Sequence, residues 1–184
     1  MEKSVCPWWM GYLLINPIRK YMHNPKKIVG EYITPGMKVI DYGSAMGYFS
    51  LPMARMVGSI GKVYSFDIQP RMLQSLNTRA KRAKLDSIIE TRLALDEEAF
   101  STLAETADFA LLFAVAHEVP DREKLFKSLA GMLKPNARLL FSEPSGHVSL
   151  YNFNQSIAFA EDAGFRQIED LSVSGSYSIL LAKK

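Results

Sequence analysis

The sequence predicts an α/β domain in which βαβ units build a parallel sheet, and three observations carry that expectation. From Met37 onward, β-type and helical patterns alternate along the chain. The first β-branched run, Lys38-Val39-Ile40, ends in Asp41 and opens into a turn with glycines at Gly43 and Gly47. A second run, Val63-Tyr64-Ser65-Phe66, also ends in an acid, Asp67.

Residues 1–36 stand outside the repeating pattern and read as an N-terminal helical appendage to a core over 37–184, within a single domain of 184 residues. The appendage opens on Cys6-Pro7-Trp8-Trp9-Met10-Gly11-Tyr12. Asn16-Pro17 then marks a helix start, with Ile18, Tyr21 and Met22 spaced for one face. A second short helix is expected over 25–32, carrying Ile28, Val29 and Tyr32, before the turn Thr34-Pro35-Gly36. The aromatic cluster has three readings: packing on the outside of the core, a lid over a ligand, or a subunit contact.

Within the core, strands are expected at 37–41, 62–67, 87–92, 109–114 and 138–142. Helices are expected between them at 48–57, 70–84, 97–105 and 121–133. The last of these helices aligns Leu125, Phe126, Leu129, Met132 and Leu133 on one apolar face. A helix over 152–163 follows, with Phe153, Ile157 and Ala160 on one side and Gly164 as its stop. Strands at 165–171 and 177–182 then flank Ser174-Gly175, a hairpin signal.

Composition narrows the function classes. With 48% hydrophobic and 22% charged residues the chain is of ordinary globular type. A net charge of +3 is too small to argue for nucleic acid. The single cysteine, Cys6, leaves neither an internal disulfide framework nor a cysteine-based zinc site, which fits a reducing compartment. No apolar run approaches the roughly 20 residues that span a bilayer. A cytoplasmic protein without a membrane segment is expected.

The glycine-rich turn carries the chemistry. Its side chains, Ser44 and Ala45, are small, so a ligand can approach the backbone, and the following helix would offer unpaired N–H groups. A dinucleotide loop would have glycine where Ala45 stands, and Asp41 ahead of the turn would repel a pyrophosphate. A phosphate loop is worse, because no Gly-Lys-Ser/Thr follows. An acid beside free N–H groups suits a ligand with both an ammonium and a carboxylate, as at the methionine end of S-adenosylmethionine.

The stretch Asp41-Tyr42-Gly43-Ser44-Ala45-Met46-Gly47 resembles the first motif of class I S-adenosylmethionine-dependent methyltransferases, an acid followed by Gly-x-Gly-x-Gly, with Ala45 in place of the middle glycine. The resemblance runs from Pro35 to the end of the chain. It implies a Rossmann-like seven-stranded sheet of order 3-2-1-4-5-7-6, seventh strand antiparallel, with helices on both faces. It also implies S-adenosylmethionine as cofactor, held by Asp41, Gly43, Ser44, Ala45, Gly47 and Tyr48, and by Ala114 after the fourth strand. Asp67, about two dozen residues past the turn, would accept from the ribose hydroxyls, and Ile68 would lie against the adenine. Asp96 would accept from the adenine amino group, or cap the helix at Glu97.

Ligands of open α/β sheets sit outside the carboxyl ends of the strands, where His117 and Glu118 follow the fourth strand. The segment Ala116-His117-Glu118-Val119-Pro120-Asp121 resembles the corresponding stretch of small-molecule methyltransferases. Leu133-Lys134-Pro135-Asn136 stands where that family has a Leu-Lys-Pro-Gly-Gly turn. Glu143 and His147, after the fifth strand, join the same rim, but their spacing matches no established metal-ligand pattern and no metal is expected. An imidazole, with an ordinary pKa near ~6.5, is the natural base for a hydroxyl or amine acceptor, with Glu118 orienting it or acting itself.

The expected partner is therefore a small-molecule methyl acceptor with an oxygen, nitrogen or carbon nucleophile. Two other readings stay open. Arg79, Lys81, Arg82 and Lys84 on one helix, with Arg19, Lys20, Lys26 and Lys27, would suit a nucleic-acid methyltransferase, although a solvated charged face explains them as well. A binding module that holds the cofactor without catalysis is the other. Oligomeric state is not written in the sequence.

Overall fold

The computed structural model describes residues 19–95 and 100–184. The Trp8–Trp9 cluster and Asp96, with the start of the helix expected over 97–105, lie outside the described residues. Seven strands form one sheet of order β3-β2-β1-β4-β5-β7-β6. That order, with an antiparallel seventh strand, is the one the resemblance implies. The chain divides into two compact units, one holding residues 19–95 and the other 100–184.

In the first unit, β1 (Lys38–Tyr42), β2 (Lys62–Asp67) and β3 (Ile89–Leu93) run parallel. Their registers bring Tyr42 opposite Phe66 and Asp67 opposite Leu93. Val39, Ile40, Val63 and Phe66 are fully buried, as expected of strands covered on both faces. The helices are α1 (Arg19–Met22), α2 (Pro25–Val29), α3 (Ser50–Val57) and α4 (Pro70–Arg82). Asn24 caps α2 by accepting from the Lys26 N–H, and Pro25 sits at its first turn. Met72, Leu73, Leu76 and Ala80 form the buried stripe of α4 at helical spacing.

Two local expectations fail here. The first helix of the core begins at Ser50 rather than Tyr48. Ala45 and Gly47 both have positive φ, 45° and 82°, and hold the chain in turns that a helix cannot pass through. Tyr21 and Met22, expected on an apolar face, are 92% and 57% exposed. The described part of that helix, Arg19–Met22, is a single turn, and it covers neither side chain.

In the second unit, β4 (Ala107–Phe113) pairs parallel with β5 (Leu133–Pro144), and β7 (Ser176–Lys183) runs antiparallel between β5 and β6 (Phe165–Asp170). The fifth strand is longer than the expected 138–142. It absorbs the Lys134-Pro135-Asn136 segment, where Asn136 takes a φ of 63° and the register against β4 slips between Ala107 and Phe109. The fully described helices are α5 (Arg122–Met132) and α6 (Leu150–Asp162), and the apolar faces expected for both are buried. An aromatic chain ties these elements together. Phe126 meets Phe141 edge-on at 5.4 Å, Phe141 stacks on Phe153 at 5.0 Å, and Phe153 leans on Tyr177 at 5.7 Å. Each buried phenylalanine contributes roughly 1.5–3 kcal/mol, so this chain sets where α5 and α6 lie on β5.

Candidate functional site

The first cluster of site residues gathers at the carboxyl ends of β1 and β2. Asp41, last but one in β1, is buried and accepts from Ser50 Oγ at 2.5 Å, while Ser65 Oγ donates to Ser50 Oγ at 3.1 Å. Asp41 thus anchors the start of α3. The turn beyond it is folded onto β2: the N–H groups of Gly43 and Ser44 both donate to the Phe66 carbonyl, at 2.9 and 2.8 Å. The Ala45 N–H donates to Asp67 Oδ2 at 2.9 Å, and the Gly47 N–H to the Ser44 carbonyl at 2.8 Å. The N–H groups of these four turn residues are therefore spent within the protein.

Sequence reasoning missed what holds this turn from outside. Arg79, grouped above with a charged helix face, is half-buried and donates to the Met46 carbonyl. Burial lowers its guanidinium below the usual arginine value. The phenol of Tyr48 donates to the His23 carbonyl at 2.8 Å, between α1 and α2. Ser44 Oγ is buried and has no hydrogen-bond partner among the described residues.

Asp67 closes the cluster. Its Oδ1 accepts from the Gln69 N–H at 2.8 Å while Oδ2 takes Ala45. Burial raises the carboxyl above 3.8, opposed by the N–H groups of Gln69, Ala45 and Ile68. Tyr42 stacks on Phe66 at 5.8 Å and is pushed up to about 12, by burial first and then by the charge of Asp67. Ile68 is 38% exposed at the strand end.

The second cluster belongs to the other unit and centres on Glu143. Ala114 follows β4 with a φ of 60°, its N–H donating to the Ser142 carbonyl at 2.8 Å. This reversal aims the next three N–H groups at one carboxylate. Val115 and Ala116 donate to Glu143 Oε1 at 3.0 and 2.9 Å, and His117 donates to Oε2 at 3.3 Å. Such a nest of successive N–H groups is an anion cradle, filled here by the protein's own side chain. Glu143 is 1% exposed, and its Oε2 also lies 2.5 Å from His117 Nδ1. Glu118 was expected to orient His117; its Oε1 lies 3.9 Å from Nε2, and Glu143 is the closer partner by far. The two carboxylates therefore flank opposite nitrogens of one ring.

A cleft of about 470 Å³ opens beside this pair, reached by His117, Glu118, Arg122, Glu143, His147 and Asn152. Among the described residues no group of three or more His, Cys, Asp or Glu side chains is arranged to hold a metal ion. No helix among them is long and apolar enough to cross a membrane.

Residues 33–173 match the methyltransferase-domain family. The chain belongs to that family. The matched segment contains both clusters, and S-adenosylmethionine is the cofactor to which this membership points. Relatives at the sequence level include the ubiquinone/menaquinone biosynthesis C-methyltransferase UbiE of Haemophilus ducreyi, 30% identical over 66% of this chain and 48% of that protein. The UbiE of Cronobacter sakazakii is 31% identical over 59% of this chain and 44% of its own length. The chain thus spans just under half the length of these relatives. A solved S-adenosylmethionine-dependent methyltransferase of Aquifex aeolicus superposes with a TM-score of 0.86 at 24% identity, covering 98% of this chain and 100% of that one. The [4+2]-cyclase SpnF shares the fold with a TM-score of 0.72 at 16% identity, over 88% of this chain and 80% of its own. One fold thus serves enzymes of differently named chemistry, and the site must carry the functional argument.

The residues of the first cluster fit that cofactor. The unpartnered hydroxyl of Ser44 is a buried polar group that a polar ligand would satisfy. Each carboxylate oxygen has two acceptor positions, so Asp67 keeps capacity beyond the N–H groups of Ala45, Ile68 and Gln69.

Proposed function

We propose that this chain transfers the methyl group of S-adenosylmethionine to an oxygen, nitrogen or carbon nucleophile of a small molecule, with His117 as general base and Glu143 as its positioning residue. The observation that carries this reading is the 2.5 Å contact between His117 Nδ1 and the buried Glu143 carboxylate. With the Nδ1 proton directed at Glu143, a neutral imidazole keeps the lone pair on Nε2. A proton leaving the acceptor goes to Nε2, and the Glu143 charge stabilises the resulting imidazolium. Glu118, 3.9 Å from Nε2, flanks the same nitrogen.

On the cofactor side, Asp41, Gly43, Ser44, Ala45, Gly47 and Tyr48 would surround the amino-acid end. Asp67 would accept from the ribose hydroxyls, and Ile68 would border the adenine. The bound cofactor supplies a methyl group already activated on a sulfonium. The chain's task is then alignment, removal of the acceptor proton and exclusion of water. C-methylation, the reaction in the name of the UbiE relatives, is served by the same base: a hydroxyl that loses its proton enriches a conjugated carbon.

Calorimetric titration with S-adenosylhomocysteine, followed by methyl transfer to a panel of hydroxyl, amine and activated-carbon acceptors, tests the reading. His117→Ala should cut turnover at least about a hundredfold, the scale of general-base catalysis, while leaving cofactor affinity nearly unchanged. Equal loss of both would make His117 a structural residue and sink the assignment.

A further inference from the structure

We infer that the cleft beside His117 takes its acceptor by an anionic group, a carboxylate or a phosphate, gripped by Arg122. Arg122 opens α5 and lines the cleft together with His117, Glu118, Glu143, His147 and Asn152. Its Nη1 donates to the Asn152 carbonyl at 3.2 Å and to Ser156 Oγ at 2.9 Å. The guanidinium also lies 5.5 Å from the centre of the Phe159 ring. Residues of three successive turns of α6 thus hold the group in one orientation.

That pinning uses one nitrogen. The Nε–H and the Nη2 donors make no hydrogen bond to any described residue, and no described carboxylate lies within ion-pair distance of Arg122. A guanidinium with this fork unspent, already ordered and half-buried, matches the two oxygens of a carboxylate or phosphate with little further entropy to lose. The cleft's own acids do not compete for it. Glu143 is committed to three backbone N–H groups and the His117 ring, and Glu118 lies on the Nε2 side of that ring. Two further donors border the cleft, the imidazole of His147 and the amide of Asn152, and neither side chain is hydrogen-bonded to a described residue. The cleft therefore has a base on one side and an uncommitted cation with two further donors on the other. An acceptor of this shape carries its nucleophile at one end and its negative charge at the other.

The inference rests on the methyl-transfer reading for what happens at the nucleophile, but anion capture is measurable by itself. The full-length protein, saturated with S-adenosylhomocysteine, is titrated with methyl phosphate, with acetate and with neutral acetamide while the arginine Nε–H resonances are followed by NMR. The Arg122 resonance should move saturably with at least one anion and stay in place with acetamide, and the order of the two affinities separates a phosphate from a carboxylate acceptor. Arg122→Gln should abolish that binding. Arg122→Lys, which keeps the charge and loses the fork, should weaken it by about tenfold and serves as the comparison if the glutamine variant is poorly folded. In the acceptor panel, Arg122→Gln should raise KM for anionic acceptors about tenfold or more over any change seen with neutral ones. Acetamide binding as tightly as the anions, or anion binding that survives in both variants, overturns the inference. Anion capture by a protein that transfers no methyl group would sink the proposed function and leave the anion subsite standing.

Discussion

The N–H of Ala45 donates to Oδ2 of Asp67 across 2.9 Å, joining the turn after β1 to the end of β2 over 22 residues of chain. The two positions that the sequence assigns to the amino-acid end and to the ribose of one cofactor are thus a single mechanical unit. Any change in the charge of Asp67 is felt by the turn, and any change in the turn's backbone is felt by the carboxylate.

This coupling sets a pH dependence. The folded value of Asp67 is raised above 3.8 by burial. Between 3.8 and the folded value, the native protein holds a proton that the unfolded chain has released. Its contribution to stability therefore falls as pH rises through that window and is fully unfavourable above it. Donation from ribose hydroxyls favours the ionised form. S-adenosylhomocysteine should accordingly bind with proton release inside the window and more weakly below it. Calorimetry in two buffers of different ionisation enthalpy measures the protons released. Unaltered release in Asp67→Asn would assign the proton to another group.

The turn itself predicts opposite outcomes for two small substitutions. Gly47 has a φ of 82°, and a Cβ there would meet Cδ1 of the buried Leu76. Gly47→Ala should cost roughly 1–2 kcal/mol from backbone strain, before Leu76 has moved. Ala45 already occupies left-handed space, with a φ of 45°. Ala45→Gly relieves strain of that order and loses about 0.5–1 kcal/mol to the greater freedom of the unfolded chain, so it should be nearly neutral or stabilising. Urea denaturation compares the two, and equal destabilisation would refute the argument.

Glu143→Gln tests the carboxylate cradle. The glutamine amide nitrogen would face N–H donors on whichever side it lay, leaving at least one of the four hydrogen bonds from residues 115–117 unmade. The variant should lose about 1–3 kcal/mol of stability. It also removes the counter-charge of the His117 imidazolium, so kcat should fall while cofactor affinity holds, and the acid limb of the kcat profile should move to lower pH. A thermal midpoint matching the wild type, with kcat intact, would show that Glu143 positions nothing.

Much of this was legible because it is local. Apolar spacing marked the buried faces of α5 and α6, and β-branched runs marked β1 and β2. The acids at the ends of those runs, and His117 beyond β4, follow from where strands stop. The two-residue delay at the start of α3 did not follow, because a helix terminus is the part of a helix its sequence fixes least. Nor did the tie from Arg79 to the Met46 carbonyl, 33 residues away, where charge alone suggested a solvated face.

Alternation of apolar runs and small-residue turns in the sequence by itself determined the strand order's elements, the strand-end acids and the place of His117. Only the tertiary structure decided which carboxylate serves that imidazole. The register that pairs Phe113 with Ser142 puts Glu143 beside the turn at Ala114, and the aromatic stack of Phe141 on Phe153 holds α6 where its carbonyls and hydroxyl can pin Arg122. Propensity acts between neighbours a few residues apart, whereas these contacts join positions from 12 to 34 apart, and packing alone brings such positions together.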